Sequence, residues 1–262
     1  MDIEVPSMKI TTLMENTACS TEFFCEHGLS LYMETGNSKI LFDAGQSGAF
    51  GENAAKLGID LGQVDAFVLS HGHYDHGGGL PRFLEENKKA KIYVNQFAFE
   101  PHFNGREKYI GLQKELEENP RIIAVKEEIS IAPGLTLHTL PLPPVDSAGL
   151  TVLRNDTFQP EDFRHEQYLL VEEEGKRILF SGCSHKGILQ IVDHFRPDIL
   201  VGGFHFLKIQ EESWLKQAAE TLLRYPTTYY TGHCTGEAQF AVMKKIMGER
   251  IHYLSAGTQV TV

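Results

Sequence analysis

The segment that most constrains this chain is residues 69–79, Leu-Ser-His-Gly-His-Tyr-Asp-His-Gly-Gly-Gly. Three histidines and one aspartate fall within six of these residues, namely His71, His73, Asp75 and His76. The apolar run at 66–69 predicts a buried strand before them, and the glycines after them predict a tight turn. Imidazole and carboxylate groups bind divalent zinc, iron or manganese at neutral pH. The segment therefore predicts a metal site at the end of a strand, rather than a solvated loop.

The spacing within this segment favours two metal ions rather than one. If the backbone is extended, His71, His73 and Asp75 point to the same side, whereas His76 points elsewhere. Gly72 and the glycines at 77–79 allow the backbone to fold closely around a charged centre, because they have no Cβ.

The His-X-His-X-Asp-His pattern resembles the signature of the metallo-β-lactamase superfamily of hydrolases. Three further motifs occur in that family's order along the chain: Ile-Leu-Phe-Asp-Ala-Gly at 40–45, Ser-Gly-Cys-Ser-His at 181–185 and Thr-Gly-His-Cys-Thr-Gly at 231–236. The sequences at 26–30, 42–48 and 202–205 are similar to the branch that includes the archaeal 7,8-dihydropterin-6-methyl-4-(β-D-ribofuranosyl)aminobenzene-5′-phosphate synthase. The resemblance extends from about Met8 to Val262.

The resemblance implies an α/β fold, the four-layer αββα sandwich with mixed sheets, and we expect it to occupy residues 1–262 as a single domain. The chain agrees with this, since short apolar strands alternate with amphipathic helical segments. Between 96 and 120 the chain is charged, and Tyr109, Ile110 and Leu112 fall at helical spacing. We predict a helical insertion there, close to the site. The proline-rich residues 141–146 predict a loop over the site.

The resemblance also implies which side chains hold the two ions. The implied ligands are His71 and His73 for the first metal, and Asp75, His76 and His233 for the second. Asp43 would hydrogen-bond metal-binding histidines and fix their tautomers. A plain turn or helix cap is the alternative role for this aspartate.

Two positions leave alternatives open. Many relatives carry a bridging aspartate where this chain has Cys183, so Cys183 is expected either to ligate as a thiolate or to pack beneath the site. For the third ligand of the first metal we expect His185, in the Gly-Cys-Ser-His motif, with His165 as the alternative. A cysteine ligand would favour zinc or ferrous iron over magnesium, because thiolate is a soft ligand.

Two further histidines are candidates for contact with substrate. His205 follows an apolar strand-like run and is expected to donate to substrate or to act as an acid. His27 lies in the branch motif at 26–30 and is a candidate substrate contact. Asp75 is expected to orient a water molecule and to shuttle a proton. The histidines at 102, 138, 194 and 252 are given no functional role.

Charge and composition argue against several partners. The formal net charge of −11 disfavours nucleic acids and anionic membranes, since these select basic patches. No apolar run is long enough to span a bilayer, and residues 1–4 lack the basic start of a signal peptide, so we expect a cytoplasmic protein. The four cysteines are expected to be free thiols. The oligomeric state is left open.

Together these features favour a hydrolase that uses a metal-activated water on a small anionic, phosphorylated substrate. Its cofactors would be two divalent ions, zinc or iron, with manganese and magnesium as alternatives. The branch resemblance implies a different reaction, in which a dihydropterin pyrophosphate condenses with an arylamine and pyrophosphate leaves. A non-hydrolytic di-iron redox or sensor protein is a further alternative, although relatives of that kind carry a carboxylate where this chain has His73.

Overall fold

Two seven-stranded sheets make up most of the structure, a computed structural model that describes residues 8–262. The strands of the first sheet are β1 (Lys9–Met14), β2 (Ser30–Glu34), β3 (Lys39–Phe42), β4 (Ala66–Val68), β5 (Lys91–Asn95), β8 (Ile122–Val125) and β18 (Gln259–Thr261). They lie in the order β18-β1-β2-β3-β4-β5-β8. The pairs from β18 to β3 are antiparallel, and those from β3 to β8 are parallel. Residues 1–4, which bear on the expected lack of a signal peptide, lie outside the described residues.

The second sheet is mixed in the same way. Its strands are β9 (Ile129–Ala132), β10 (Leu135–Thr139), β13 (Gln167–Glu173), β14 (Lys176–Ser181), β15 (Ile199–Gly202), β16 (Thr228–Thr231) and β17 (Ile251–Tyr253). Their order is β17-β16-β15-β14-β13-β10-β9. The pairs from β14 to β17 are parallel and the remainder antiparallel. Each sheet therefore contains a group of parallel strands whose carboxyl ends share one edge.

Helices cover the outer face of each sheet. They are α1 (Ala49–Lys56), α2 (Tyr74–Gly77), α3 (Leu80–Glu86), α4 (Ile188–Phe195), α5 (Glu212–Leu222) and α6 (Glu237–Met247), with 3-10 turns at Leu61–Gln63, Lys114–Glu118, His233–Thr235 and Gly248–Arg250. Pro81 lies in the first turn of α3, where its missing N–H costs nothing. Among the described residues, none of these helices is both long and apolar enough to cross a membrane.

Side-chain alternation along the strands separates the inner core from the two outer ones. In β3, Phe42 packs against Phe180 of the second sheet, with ring centroids 5.9 Å apart. The neighbouring Leu41 faces the other way and packs with Phe50 of α1 and Phe83 of α3. Burying each such side chain stabilises the fold by about 1.5–3 kcal/mol. The helix–sheet–sheet–helix order confirms the predicted four-layer αββα sandwich.

A small four-stranded sheet lies over one end of the sandwich, and we call it the cover sheet. Its strands are β6 (His102–Asn104), β7 (Lys108–Tyr109), β11 (Leu150–Arg154) and β12 (Thr157–Pro160), in the order β12-β11-β6-β7. The predicted helical insertion at 96–120 is therefore wrong. Gly105 turns the chain with a left-handed φ of 65°, and β6 pairs with β11, a partner distant in sequence. That the chain forms a single domain stays a prediction.

Gly202, in β15, lies directly beside the backbone of Ser181 in the parallel strand β14. This residue has a φ of 143°, and a Cβ built on it would lie 1.6 Å from the Ser181 carbonyl oxygen. Gly58, after α1, also has a left-handed φ, of 70°, but a Cβ there would meet nothing within 4 Å. Alanine substitution at Gly58 therefore tests the cost of a positive φ alone, whereas substitution at Gly202 adds the contact with Ser181.

We expect Gly202→Ala to lower the free energy of unfolding by about 3–5 kcal/mol, because backbone atoms must move. Gly58→Ala, the matched control, should cost only about 1–2 kcal/mol, the cost of a left-handed conformation. Urea unfolding followed by circular dichroism measures both values. Equal losses in the two variants would show that the approach of Ser181 does not fix the glycine.

Candidate metal centre

The histidine-rich segment lies between β4 and α3, at the edge where the parallel strands end. After β4 the chain bends at residues 70–72, His73 is extended with a φ of −94° and a ψ of 146°, and α2 then begins at Tyr74. A Cβ on Gly72 would lie 2.0 Å from the Ala98 carbonyl oxygen, so this position accepts only glycine. The segment is deeply buried, since His71 is inaccessible and Asp75 is only 9% exposed.

Asp43, directly after β3, holds two histidines of the segment in one tautomer. His76 Nδ1 donates to Asp43 Oδ2 over 2.6 Å. The Ser70 hydroxyl also donates to Oδ2, over 2.7 Å, and therefore accepts from His71 Nδ1, 2.8 Å away. Both histidines then carry their proton on Nδ1 and keep the Nε2 lone pair for a ligand. This is the hydrogen bonding that the sequence predicts for Asp43.

A first group of donor atoms gathers around His76. Its Nε2 lies 3.1 Å from Cys183 Sγ and 3.2 Å from His233 Nε2. His233 Nε2 is also 3.4 Å from Asp75 Oδ2. His233 Nδ1 donates to Asn16 Oδ1 over 2.8 Å, so its Nε2 lone pair faces the group. The structure thus brings together the side chains predicted for the second metal.

A second group lies around His71, beside the first. One donor atom each from His71, Cys183 and His185 lies within 4.8 Å of the others. Nε2 of His71 and both ring nitrogens of His185 are buried without a hydrogen-bond partner in residues 8–262. Unpaired buried nitrogens are costly, and a metal ion would satisfy them. Of the residues present, these fit the first metal.

His165 is a poorer ligand candidate than His185 for a specific reason. Its Nδ1 accepts a hydrogen bond from the Gly72 backbone N–H, 2.8 Å away. A neutral imidazole that accepts at Nδ1 carries its proton on Nε2, so neither nitrogen can bind a metal. His185 has no such restriction, and its ring stacks on Phe163 with centroids 4.2 Å apart. The geometry favours the preferred alternative, His185.

The site residues that follow the strands have strained backbones. Asp43, Ser184, His205 and His233 have φ angles of 61°, 57°, 59° and 51°, in the left-handed region that non-glycine residues avoid. Each follows the end of a strand, β3, β14, β15 or β16. Conformations of this kind cost about 1–3 kcal/mol each and gather at functional sites.

Both donor groups open into a cavity of about 500 Å³. His27 lies at its edge, half-exposed, with Nε2 3.1 Å from Asp75 Oδ2. The His205 ring lies 4.4 Å from that of His185, centroid to centroid. The predicted site residues that line the cavity are His27, His73, Asp75, Cys183, His185, His205 and His233. Their functional roles stay predictions.

Burial keeps the histidines of the centre neutral. It lowers the pKa of His76 to about 3 and that of His205 to about 4. It also places the pKa of four others well below the ordinary value, namely His71, His73, His165 and His185. For Asp75, burial acts to raise the pKa, but His76, His233 and His27 outweigh it and hold the pKa well below its usual value. Burial therefore favours the neutral form of these six histidines, and Asp75 is held as a carboxylate.

The sequence alone does not reveal three supporting side chains. Glu15, buried after β1, accepts from the His233 backbone N–H, and Asn16 fixes the His233 ring. Glu166 is buried and accepts from the backbone N–H groups of His185 and Lys186. The one sequence feature that could indicate a role is their position next to a strand, since Glu15 and Asn16 follow β1 and Glu166 precedes β13.

The lowered histidine pKa values predict the pH dependence of the metal-free protein. The unfolded chain takes up protons as its histidines pass their ordinary pKa of 6.5, and the folded chain does not. Stability should therefore fall as the pH falls through this range, by up to about 1.4 kcal/mol per pH unit for each histidine. Three groups oppose this trend, namely Asp43 and Glu166, whose pKa burial raises, and His27, whose pKa the hydrogen bond with Asp75 raises, but they are three groups against six.

Urea unfolding of chelator-treated protein at about pH 5, 6 and 7.5 measures this slope. We expect the free energy of unfolding to be smallest at the lowest pH. A flat profile, or one that rises toward low pH, would contradict neutral burial of the histidines.

Comparison with known proteins places this geometry in a family. The sequence model of the metallo-β-lactamase superfamily matches residues 24–233. The 7,8-dihydropterin-6-methyl-4-(β-D-ribofuranosyl)-aminobenzene-5′-phosphate synthase of Methanocaldococcus jannaschii is 28% identical over 95% of this chain and 96% of that protein. The uncharacterized protein MJ0448 of the same organism is 28% identical over 87% of this chain and 90% of its own length.

A solved structure agrees over almost the whole chain. Tm1679, a metal-dependent hydrolase of the β-lactamase superfamily, has a TM-score of 0.82 and 30% identity, covering 97% of this chain and 99% of that one. The fold, the order of the motifs and the buried histidine-rich site all agree with this family. The chain belongs to the metallo-β-lactamase superfamily.

Proposed function

We propose that this protein is a metal-dependent hydrolase that binds two divalent ions, zinc or iron, and cleaves a small anionic, phosphorylated substrate. The observation that carries the proposal is the convergence of two donor groups on one cavity. His71 and His185 form one side, His76 and His233 the other, and Cys183 lies within reach of both. These donor types are those that zinc and ferrous iron prefer.

Two ions bound in these groups would lower the pKa of a water molecule and polarise the substrate. The chain's own residues hold their donor atoms ready. Asp43 and Asn16 accept the Nδ1 protons of His76 and His233, so both Nε2 lone pairs face the centre. Removing hydrogen-bond partners of this kind commonly lowers metal affinity about 10–100-fold.

Asp75 and His27 are placed to handle protons. Asp75 is ionised and lies at the cavity, where its carboxylate accepts hydrogen bonds and orients a water molecule. Its hydrogen bond to His27 raises the pKa of that histidine above its usual value. This hydrogen bond favours the protonated form of His27, which suits His27 to protonate a leaving group. The low pKa of His205 disfavours the acid role expected from the sequence and leaves it as a neutral contact to substrate.

The cavity offers both charge and apolar surface. Lys108 and Lys208 both line the cavity. The charge of Lys108 acts on His27, and that of Lys208 acts on His205. In a chain with a net charge of −11, two cations at the metal cavity favour an anionic substrate. Phe206 and Trp214, which pack edge to face with centroids 4.9 Å apart, form an apolar wall. The wall suits the organic part of a phosphorylated molecule.

Metal content tests the ligand assignment directly. We expect anaerobically purified protein to carry about two ions per chain, and His71→Ala and His233→Ala each to carry about one. His194→Ala removes an exposed histidine of α4 and is the matched control. Elemental analysis measures these proteins and Cys183→Ser. Full metal content in both site variants would refute the assignment, and unchanged content in Cys183→Ser would reduce Cys183 to a packing role.

The lysines test the charge of the substrate. With a phosphomonoester or phosphodiester that the protein turns over, Lys108→Ala and Lys208→Ala should each raise KM about fivefold, the effect of losing about 1 kcal/mol of ion pairing. Metal content should not change. Lys88→Ala, an exposed lysine beyond α3, is the control. If KM is unchanged in both site variants, the lysines do not select the anion.

One relative favours a second candidate function. The synthase that is 28% identical over 95% of this chain suggests condensation of a dihydropterin pyrophosphate with a ribofuranosylaminobenzene phosphate. The same cavity would hold the two reactants, and the bound ions would stabilise the leaving pyrophosphate. A screen of phosphoesters and pterin pyrophosphates separates the candidates. Turnover of a phosphoester alone supports the hydrolase, and pyrophosphate release only when the arylamine is added supports the synthase.

A further inference from the structure

A buried histidine–glutamate pair lies behind the metal centre, in residues without a role so far. His102 begins β6 and Glu161 directly follows β12, so both belong to the cover sheet. His102 Nδ1 donates to Glu161 Oε2 over 2.7 Å, and both side chains are fully buried. A histidine that donates one ring N–H to a buried carboxylate keeps its other nitrogen as an acceptor.

The His73 ring lies next to that of His102. The His73 and His102 rings are nearly perpendicular, at 81°, with centroids 5.5 Å apart. Nε2 of each is buried and finds no hydrogen-bond partner within the described residues. One donor atom from each of His73, His102, Glu161 and His165 lies within 4.8 Å of the others. If one of these two Nε2 atoms carried a proton and the other did not, a hydrogen bond between them would satisfy both rings.

His165 leaves only one arrangement of protons. Its Nδ1 accepts from the Gly72 N–H, so its proton is on Nε2, 3.8 Å from Glu161 Oε1. Glu161 thus faces N–H groups of both His102 and His165. The His102 Nε2 lone pair then remains free beside the His73 ring, and a proton on His73 Nε2 would complete the pattern. With its proton there, His73 keeps the lone pair of Nδ1, and His73 lines the cavity.

Three other histidines of the centre have an oxygen acceptor for one ring nitrogen. His76 donates to Asp43, His71 to Ser70, and His233 to Asn16. Within the segment 71–76, His73 is the one histidine whose Nε2 lies beside a histidine ring and has no oxygen acceptor for its outer nitrogen among the described residues.

We propose that His102, itself held by Glu161, is a positioning residue that fixes the tautomer of His73 and so sets the affinity of the first metal. The proposal rests on the metal centre of the proposed function. It adds that the cover sheet, outside the ligand motifs, contributes to metal binding. Removing such an outer partner commonly weakens metal affinity 10–100-fold.

The test compares three variants by chelator competition and by the visible spectrum of cobalt-loaded protein. His102→Phe keeps the ring volume and removes the acceptor, so one of the two ions should bind about 10–100-fold more weakly and the cobalt spectrum should change. His102→Gln retains an acceptor and a donor and should restore most of the affinity. His138→Phe is the matched control, because His138 also pairs with a glutamate, Glu128, 3.0 Å away in the second sheet.

Each outcome decides the question. Wild-type affinity for both ions in His102→Phe, with thermal unfolding showing a folded protein, overturns the positioning role alone. Three ions in the wild type and two in His102→Phe overturn it as well, because His102 would then be a ligand. A wild type that binds no divalent ion overturns the proposed function, and this inference with it. Equal loss in the phenylalanine and glutamine variants also counts against the proposal, since hydrogen bonding would not be the cause.

Discussion

The site depends on one constraint, the alignment of parallel strands at a common edge of the sandwich. In the first sheet, β3 and β4 run parallel and end before Asp43 and His71. In the second sheet, β14, β15 and β16 run parallel and lead into Cys183, His205 and His233. Ligand sites in open α/β sheets form beyond the carboxyl ends of the strands. Two sheets packed face to face bring two such ends together, and the donor atoms converge there.

Burial at this edge imposes a second condition. Because no water reaches a buried imidazole, a neighbouring side chain must determine which ring nitrogen carries the proton. Asp43 does this for His76 directly and for His71 through the Ser70 hydroxyl. Asn16 does it for His233. The orphaned nitrogens that result are unfavourable in the metal-free protein and favourable once an ion is bound. Binding of a metal ion at this site would therefore be coupled to folding.

The sequence predicts the fold and the ligand motif because both depend on local signals. The His71–His76 segment, the strand before it and the strand-end motifs near Cys183 and His233 are contiguous in the chain. The choice between His185 and His165 depends on a hydrogen bond from Gly72, 93 residues away from His165, which no local pattern reveals. The helical spacing near Tyr109 predicted a helical insertion for the same reason, because the pairing between β6 and β11 that decides the structure is not visible in a local pattern.

The cover sheet has a consequence for how such a protein diverges. It supplies Asn104, Lys108 and Leu150 to the wall of the cavity, and it also carries His102, whose ring lies beside that of His73. Substitutions at the wall residues would change the surface that a substrate meets, whereas substitutions at His102 would reach the histidines of the centre. The wall can therefore diverge separately from the residues that pack against the centre. Transplanting the whole sheet from a relative would exchange part of the metal environment along with the substrate wall.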